Sequence, residues 1–194
     1  MRFRGFIGPS YTLASLPADC QRAVNLYPEV NELGTGPEQE VTSYVCTPGL
    51  RELCDLGAPI RGAVRGANGV LYVAAGSSLW AVPSTWAPVK LGSLGTASGR
   101  VSLASSGTHL CCVDGPFGYL VDLKTGAFSK ITAEGFEGAD RVVYLDGYFL
   151  GCRGTKIFCS GLQDGTAWDA LDFTTAEGNP DPVTSLAVLG RELV

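Results

Sequence analysis

From residue 61 onward, apolar and polar positions alternate in short runs that break at glycine and then resume. Four segments show it: RGAVRGANGVLYVAAGSSLWAV (61–82), VSLASSGTHLCCVDGPFGYLV (101–121), RVVYLDGYFLGCRGTKIFC (141–159) and VTSLAVLGRELV (183–194). Each opens with alternating apolar residues, reaches a glycine turn and re-enters an apolar run. The turn glycines Gly69, Gly107, Gly147 and Gly190 stand 38, 40 and 43 residues apart. In the first three segments a further glycine, Gly76, Gly115 or Gly154, leads into another strand at Leu79–Val82, Tyr119–Leu123 or Ile157–Cys159. Short runs rich in Val, Leu, Tyr and Phe, punctuated by glycine, predict antiparallel strands. Asp122–Phe128 (DLKTGAF) predicts a hairpin turning at Thr125-Gly126.

A unit of about 40 residues with four strands is the pattern of a β-propeller blade. The alternative is an irregular β-sandwich whose hairpins happen to recur. The first reading gives an all-β, β-propeller-like fold, partial, with three to four blades of four antiparallel strands. The blades fall at 60–95, 99–135 and 139–177, and a fourth begins at Val183. A propeller ordinarily closes with about four to eight blades, so the sequence reads as the N-terminal portion of a longer protein. Residues 1–57 lack the repeat and predict an extended N-terminal arm with edge strands, one over Val41–Cys46, and an exposed polar loop around Gly34–Gln39. The expected division is therefore 1–57 and 58–194.

Composition agrees with a globular, turn-rich chain: 194 residues, 45% hydrophobic, 17% charged, with 26 glycines and 11 prolines. The net charge of −5 is unevenly spread. Residues 1–57 hold four bases and seven acids, 58–133 six bases and two acids, and 134–181 three bases and nine acids. No segment is basic enough to grip nucleic acid, which takes several clustered phosphate contacts. No apolar run approaches the roughly 20 residues of a membrane helix, and no signal peptide follows the N-terminal arginines. The seven cysteines are odd in number and lack CxxC spacing, and there is one histidine. A metal site is not expected; the cysteines read as small buried apolar side chains in a reducing cytoplasm.

No catalytic constellation emerges. His109 sits in GTHLCCV, where its neighbours are strand residues, and any Ser-His or Cys-His arrangement would have to use it. It reads as a strand or edge histidine with a satisfied hydrogen bond. GTASGR (95–100) and GANG (66–69) are glycine turns without the Lys-Ser/Thr of a phosphate loop, so no cofactor is expected. Carboxylates such as Asp164, Asp169 and Asp172 are of the type that pairs as a glycosidase acid and nucleophile, and nothing in the sequence sets their separation.

The stretch CSGLQDGTAWDALDFTTAEGNPDPVTSL (159–186) sets Trp168 and Phe173 among five acids and two prolines. It reads as the end of the third blade running into a long connection, with the aromatics packing beneath a loop whose acids face water. Such connections are where a propeller presents partner surface; the alternative for Trp168 is that it only staples the loop to its own blade. RAVNLYPE (22–29), TPGL (47–50), GVLYVAAGSSLWAV (69–82) and FCSGLQDGTAWDALDFTTAEGNPDPVTSL with the later GREL come in this order. As an ordered set they resemble the packaged-DNA stabilisation, or tail hub and stopper, proteins of short-tailed phages, over nearly the whole chain.

The resemblance implies a non-enzymatic structural ring in the virion tail, made in the host cytoplasm, without cofactor. It implies a homo-oligomer below the portal and its adaptor protein that retains packaged DNA and offers attachment to a distal tail needle or tailspikes. DNA would pass nearby without sequence-specific binding, and no membrane is involved. The partner-binding residues expected on this reading are Asp164, Trp168, Asp169, Asp172 and Phe173, with Arg22 and Tyr27 from the arm. Two other readings stay open. One is a propeller module binding protein or carbohydrate outside a virion, against which stands the absence of register among Trp80, Trp86 and Trp168. The other is a propeller hydrolase using loop carboxylates.

Overall fold

The computed structural model describes residues 25–31, 41–175 and 181–194, and the chain divides into two compact units, Met1–Glu52 and Leu53–Val194. In the first unit, β1 (Leu26–Asn31) and β2 (Val41–Cys46) form an antiparallel hairpin running from Leu26↔Cys46 to Asn31↔Val41. The strand expected at Val41–Cys46 is thus β2; the polar loop around Gly34–Gln39 lies outside the described residues.

The second unit is all β among its described residues. Its first sheet comprises β3 (Ile60–Arg65), β4 (Leu71–Ala75), β5 (Ser78–Val82) and β6 (Val89–Ser93). The second comprises β7 (Ser102–Ser105), β8 (His109–Val113), β9 (Gly118–Asp122) and β10 (Phe128–Lys130). The third comprises β11 (Arg141–Leu145), β12 (Tyr148–Arg153), β13 (Lys156–Gly161) and β14 (Asp164–Thr175). A two-stranded sheet, β15 (Val188–Leu189) and β16 (Glu192–Leu193), opens a fourth unit. Every four-stranded sheet is a sequential antiparallel meander, the topology of a propeller blade.

Local chemistry sets the turns. Asp146 and Gly147 take φ of 47° and 99° between the paired ends Leu145 and Tyr148, the left-handed pair a tight hairpin requires. In the DLKTGAF hairpin, Asp122 Oδ1 accepts the Lys124 and Thr125 N–H groups at 2.8 Å each, and Gly126 takes φ of 75°.

The middle sheet explains why its strands read as unbroken apolar runs. Alternate side chains of a strand face opposite ways, and here both faces are covered. Leu110, Cys112, Tyr119 and Val121 join Tyr72, Leu79 and Val101 in a core against the first sheet. Cys111, Val113 and Leu120 join Val142, Phe149, Phe158 and Trp168 in a core against the third. Burial pushes the Cys111 thiol up to about 12 and raises Cys112 as well. The adjacent cysteines are strand-interior apolar residues, one per core.

Trp168 closes the second core at 6% exposure. Its ring meets Phe136 at 5.0 Å and Phe158 at 5.6 Å, both near edge-to-face, and its Nε1 donates to the Gly165 carbonyl at 2.8 Å.

The first strands of successive sheets lie side by side, β3 by β7, β7 by β11 and β11 by β15. At these seams the backbones come close. A Cβ at Gly62 would collide with the Val101 carbonyl, and the Val101 N–H donates to the Arg61 carbonyl at 3.2 Å. One repeat on, Ser102 Oγ accepts the Val142 N–H at 3.1 Å.

Arg61 ties the first seam with all five of its N–H groups. Nε donates to Gly99 O, Nη1 to Gly76 O and Thr96 O (2.7 Å each), and Nη2 to Thr96 Oγ1 and Ser98 O (2.6 Å each). Thr96 in turn donates its N–H and hydroxyl to Asp114 Oδ2, each at 3.0 Å. One guanidinium therefore joins β3, the β4–β5 turn, the connection to the second sheet and, through Thr96, a buried carboxylate of that sheet.

Three outcomes test this packing. Arg61→Met leaves several carbonyls unpaired and should cost about 2–4 kcal/mol in urea unfolding, with Thr96→Val costing about 1 kcal/mol; an unmoved midpoint would make the network ornamental. Trp168→Ala should cost about 3–5 kcal/mol, while Trp168→Phe, which loses only the indole hydrogen bond and part of the ring, costs less. Cys111 is protonated in the fold past the 9.0 at which it ionises in the open chain, so its contribution to stability holds below pH 9 and is lost toward pH 12. The urea midpoint should fall across that window, and fall less steeply in Cys111→Ala.

Candidate functional site

The stretch expected to be a long connection is strand β14, twelve residues against six in β13. The surplus is taken up in bulges. Lys156↔Thr175, Ile157↔Thr174 and Phe158↔Phe173 pair in step, and pairing then resumes at Ser160↔Trp168 and ends at Gly161↔Asp164. One residue of β13, Cys159, thus faces the four residues Asp169–Asp172. Aspartates shape the excursion by binding their own backbone. Asp169 Oδ1 accepts the Leu171 N–H at 2.9 Å, and Asp164 Oδ1 accepts the Thr166 N–H at 2.8 Å and its hydroxyl at 2.6 Å. The Thr166 hydroxyl and N–H hold the Asp164 carboxyl below the usual carboxylate range.

The bulge lies flush on the connection between the second and third sheets. A side chain at Gly135 would run into the Trp168 carbonyl, so only glycine fits that approach. Between the two lies an open cleft of about 440 Å³ lined by Glu134, Gly135, Trp168, Asp169 and Asp172 among others. Beside it a groove of about 410 Å³ is lined by Leu150, Ile157, Leu171, Phe173 and Leu193 among others. Leu171 stands 83% exposed at the crest and Phe173 48% exposed on its flank. The Lys156 ammonium lies 5.1 Å from the Phe173 ring centre and 3.6 Å from Glu137.

Of the seven residues predicted for partner binding, the structure places five on this one strand. Asp164, Asp169, Asp172 and Phe173 are exposed; Trp168 is core, so its ring carries the surface without reaching it. Tyr27 lies exposed on β1 of the other unit, and Arg22 lies outside the described residues. Two surface features escaped the sequence reading. One is Leu171, hidden in what looked like a polar loop. The other is Trp86, which takes φ of 59° in the β5–β6 turn and is 42% exposed. A bulky side chain in the left-handed region costs about 1–2 kcal/mol, and the bracketing Pro83 and Pro88 were the available hint of so tight a turn.

The candidate chemical groups take structural roles. His109 opens β8 with Nδ1 2.9 Å from the Thr108 hydroxyl and pairs in register with Asp122, whose carboxyl is held low by the Thr125 and Lys124 N–H groups. Burial, and then Asp172, raise the Cys159 thiol. Among the described residues no group of three His, Cys, Asp or Glu side chains is placed to hold a metal ion, and no helix is long and apolar enough to cross a membrane.

Comparison with known proteins adds a family. The family model described as Bacteriophage P22 Gp10, beta-propeller, matches residues 21–194. No curated protein matches the chain. Among solved structures, a chain of the crystal structure of the mitotic checkpoint complex is similar at TM-score 0.48 and 11% identity. The similarity covers 73% of this chain and 50% of that one, so this chain spans half the length of its solved counterpart. The family match takes in β1–β2, all three meander sheets and the opening of the fourth. The chain belongs to the Bacteriophage P22 Gp10 beta-propeller family of phage stabilisation proteins.

Proposed function

We propose that this chain is a structural part of a phage tail machine, assembled as a ring below the portal and its adaptor, where it retains packaged DNA and gives distal tail parts a place to attach. The observation that carries this reading is the family match over residues 21–194, coincident with consecutive propeller blades. The surface fits the task. Every described acid of residues 134–181 is exposed, and a conduit faced with carboxylates repels phosphate and lets DNA pass. The blades supply a stiff frame, and the excursions at their rims supply contact surface. Propeller hydrolysis by the β14 carboxylates finds less support, since Asp164 and Asp169 spend an oxygen on their own backbone.

The test is electron microscopy of the chain mixed with the portal–adaptor complex of its phage. A ring seated under the adaptor, closing the channel, is the expected result. Inert monomers at every ratio tried would end the proposal.

A further inference from the structure

The outer-edge strands of the first and third sheets carry exposed surfaces of opposite character. On the third, Leu171 and Phe173 project from β14 among the exposed acids Glu134, Asp169 and Asp172. On the first, the turn leading into β6 and its first two residues show Trp86, Val89 (57% exposed) and Lys90. Among the described residues neither Lys90 nor Asp172 nor Glu134 forms an ion pair. The charge contrast extends beyond these residues: 134–181 holds nine acids to three bases, and 58–133 six bases to two acids.

We propose that these two surfaces mate between copies of the chain: the Trp86–Lys90 knob of one copy seats in the Leu171/Phe173 groove of the next, with Lys90 against Asp169 and Asp172. The inference rests on the ring reading above and names the contact that would build the ring. Three observations support a second copy as the occupant. The second sheet stands between the first and the third, so the two surfaces of one chain cannot reach each other. Their charges are complementary, which favours and orients encounter. Trp86 is held in a conformation costly for its type while remaining 42% exposed, and its turn is closed by backbone, the Trp86 N–H donating to Pro83 O at 2.9 Å. Strain kept at an exposed aromatic is accounted for when the ring has a partner. The contact joins unlike surfaces, so it repeats head to tail, the kind of contact that makes a ring when the rotation between copies closes. It is side chain on side chain, because the Asp169–Asp172 excursion interrupts the β14 edge.

The full chain is followed by sedimentation velocity, alone and on the portal–adaptor complex, at low and at molar salt. Wild type should associate, and more weakly in high salt. Lys90→Glu and the double variant Asp169→Lys/Asp172→Lys should each lose about tenfold or more in association. Mixed together they match Lys90 with Asp169 and Asp172 at one contact and the introduced glutamate with the introduced lysines at the next, so the mixture should assemble in alternation where neither variant does alone, and all three changes in one chain should restore assembly. Trp86→Gly is the folding control: glycine relieves the backbone, so the melting temperature should hold or rise while association falls. If wild type assembles and the variants assemble equally well, this contact is wrong and the ring reading survives. If wild type forms no ring in either setting, both fall.

Discussion

A β-sheet with apolar side chains on both faces cannot stand alone in water, and the second sheet of this chain is such a sheet. Leu110 and Cys112 point into one core while Cys111 and Val113, between and beyond them on the same strand, point into the other. The stability of the first and third sheets is therefore tied to the second, since each buries its inner face only while the second is in place. This is the nearest-neighbour logic of repeat architectures, in which one unit's exposed face is the next unit's partner. It explains the heavy use of small apolar residues. Cysteine and alanine fill the strand interiors where two cores meet at one sheet, and a thiol held there is apolar filler with its ionisation suppressed.

Burial sets which faces meet, and polar seams set how closely. The strands that open each sheet approach near enough for backbone to bond backbone, and this is possible only where side chains stand aside, as at Gly62. Ser102 meets Val142 forty residues on, and Arg61 donates across to the connection that precedes Ser102. The forty-residue period is thus a period of contacts as well as of strands.

Much of this was legible in the sequence. The repeat gave three blades and the start of a fourth, because strands bounded by obligatory turns leave a trace in residue type, as Asp146-Gly147 and Thr125-Gly126 do. Val41–Cys46 and the interior position of Cys111-Cys112 could be read for the same reason. The role of Arg61 could not. Four of its five acceptors are backbone carbonyls, which no residue type announces, so it looked like one base among several on a surface. The site was half legible. Its acids and aromatics stood out, but β14 read as a loop because the Asp169–Asp172 excursion breaks the alternation by which a strand is recognised. The same break disguised Leu171, which stands between Ala170 and Asp172 in a run exposed on every residue.

That break also answers a problem any open sheet edge has. β14 is the outer strand of its sheet, and an outer strand with a free, regular ladder invites pairing with any passing strand. Four residues set against one, held out by an aspartate that caps its own backbone, spoil the ladder at its middle. The edge then loses indiscriminate backbone pairing and keeps discriminating side chains: a leucine at the crest, a phenylalanine on the flank, carboxylates around both. Trp168, packed beneath, holds the displaced backbone at a fixed height above the core, which is how a buried ring comes to shape a surface. A bulge so anchored yields a surface that discriminates by shape and charge rather than by backbone pairing.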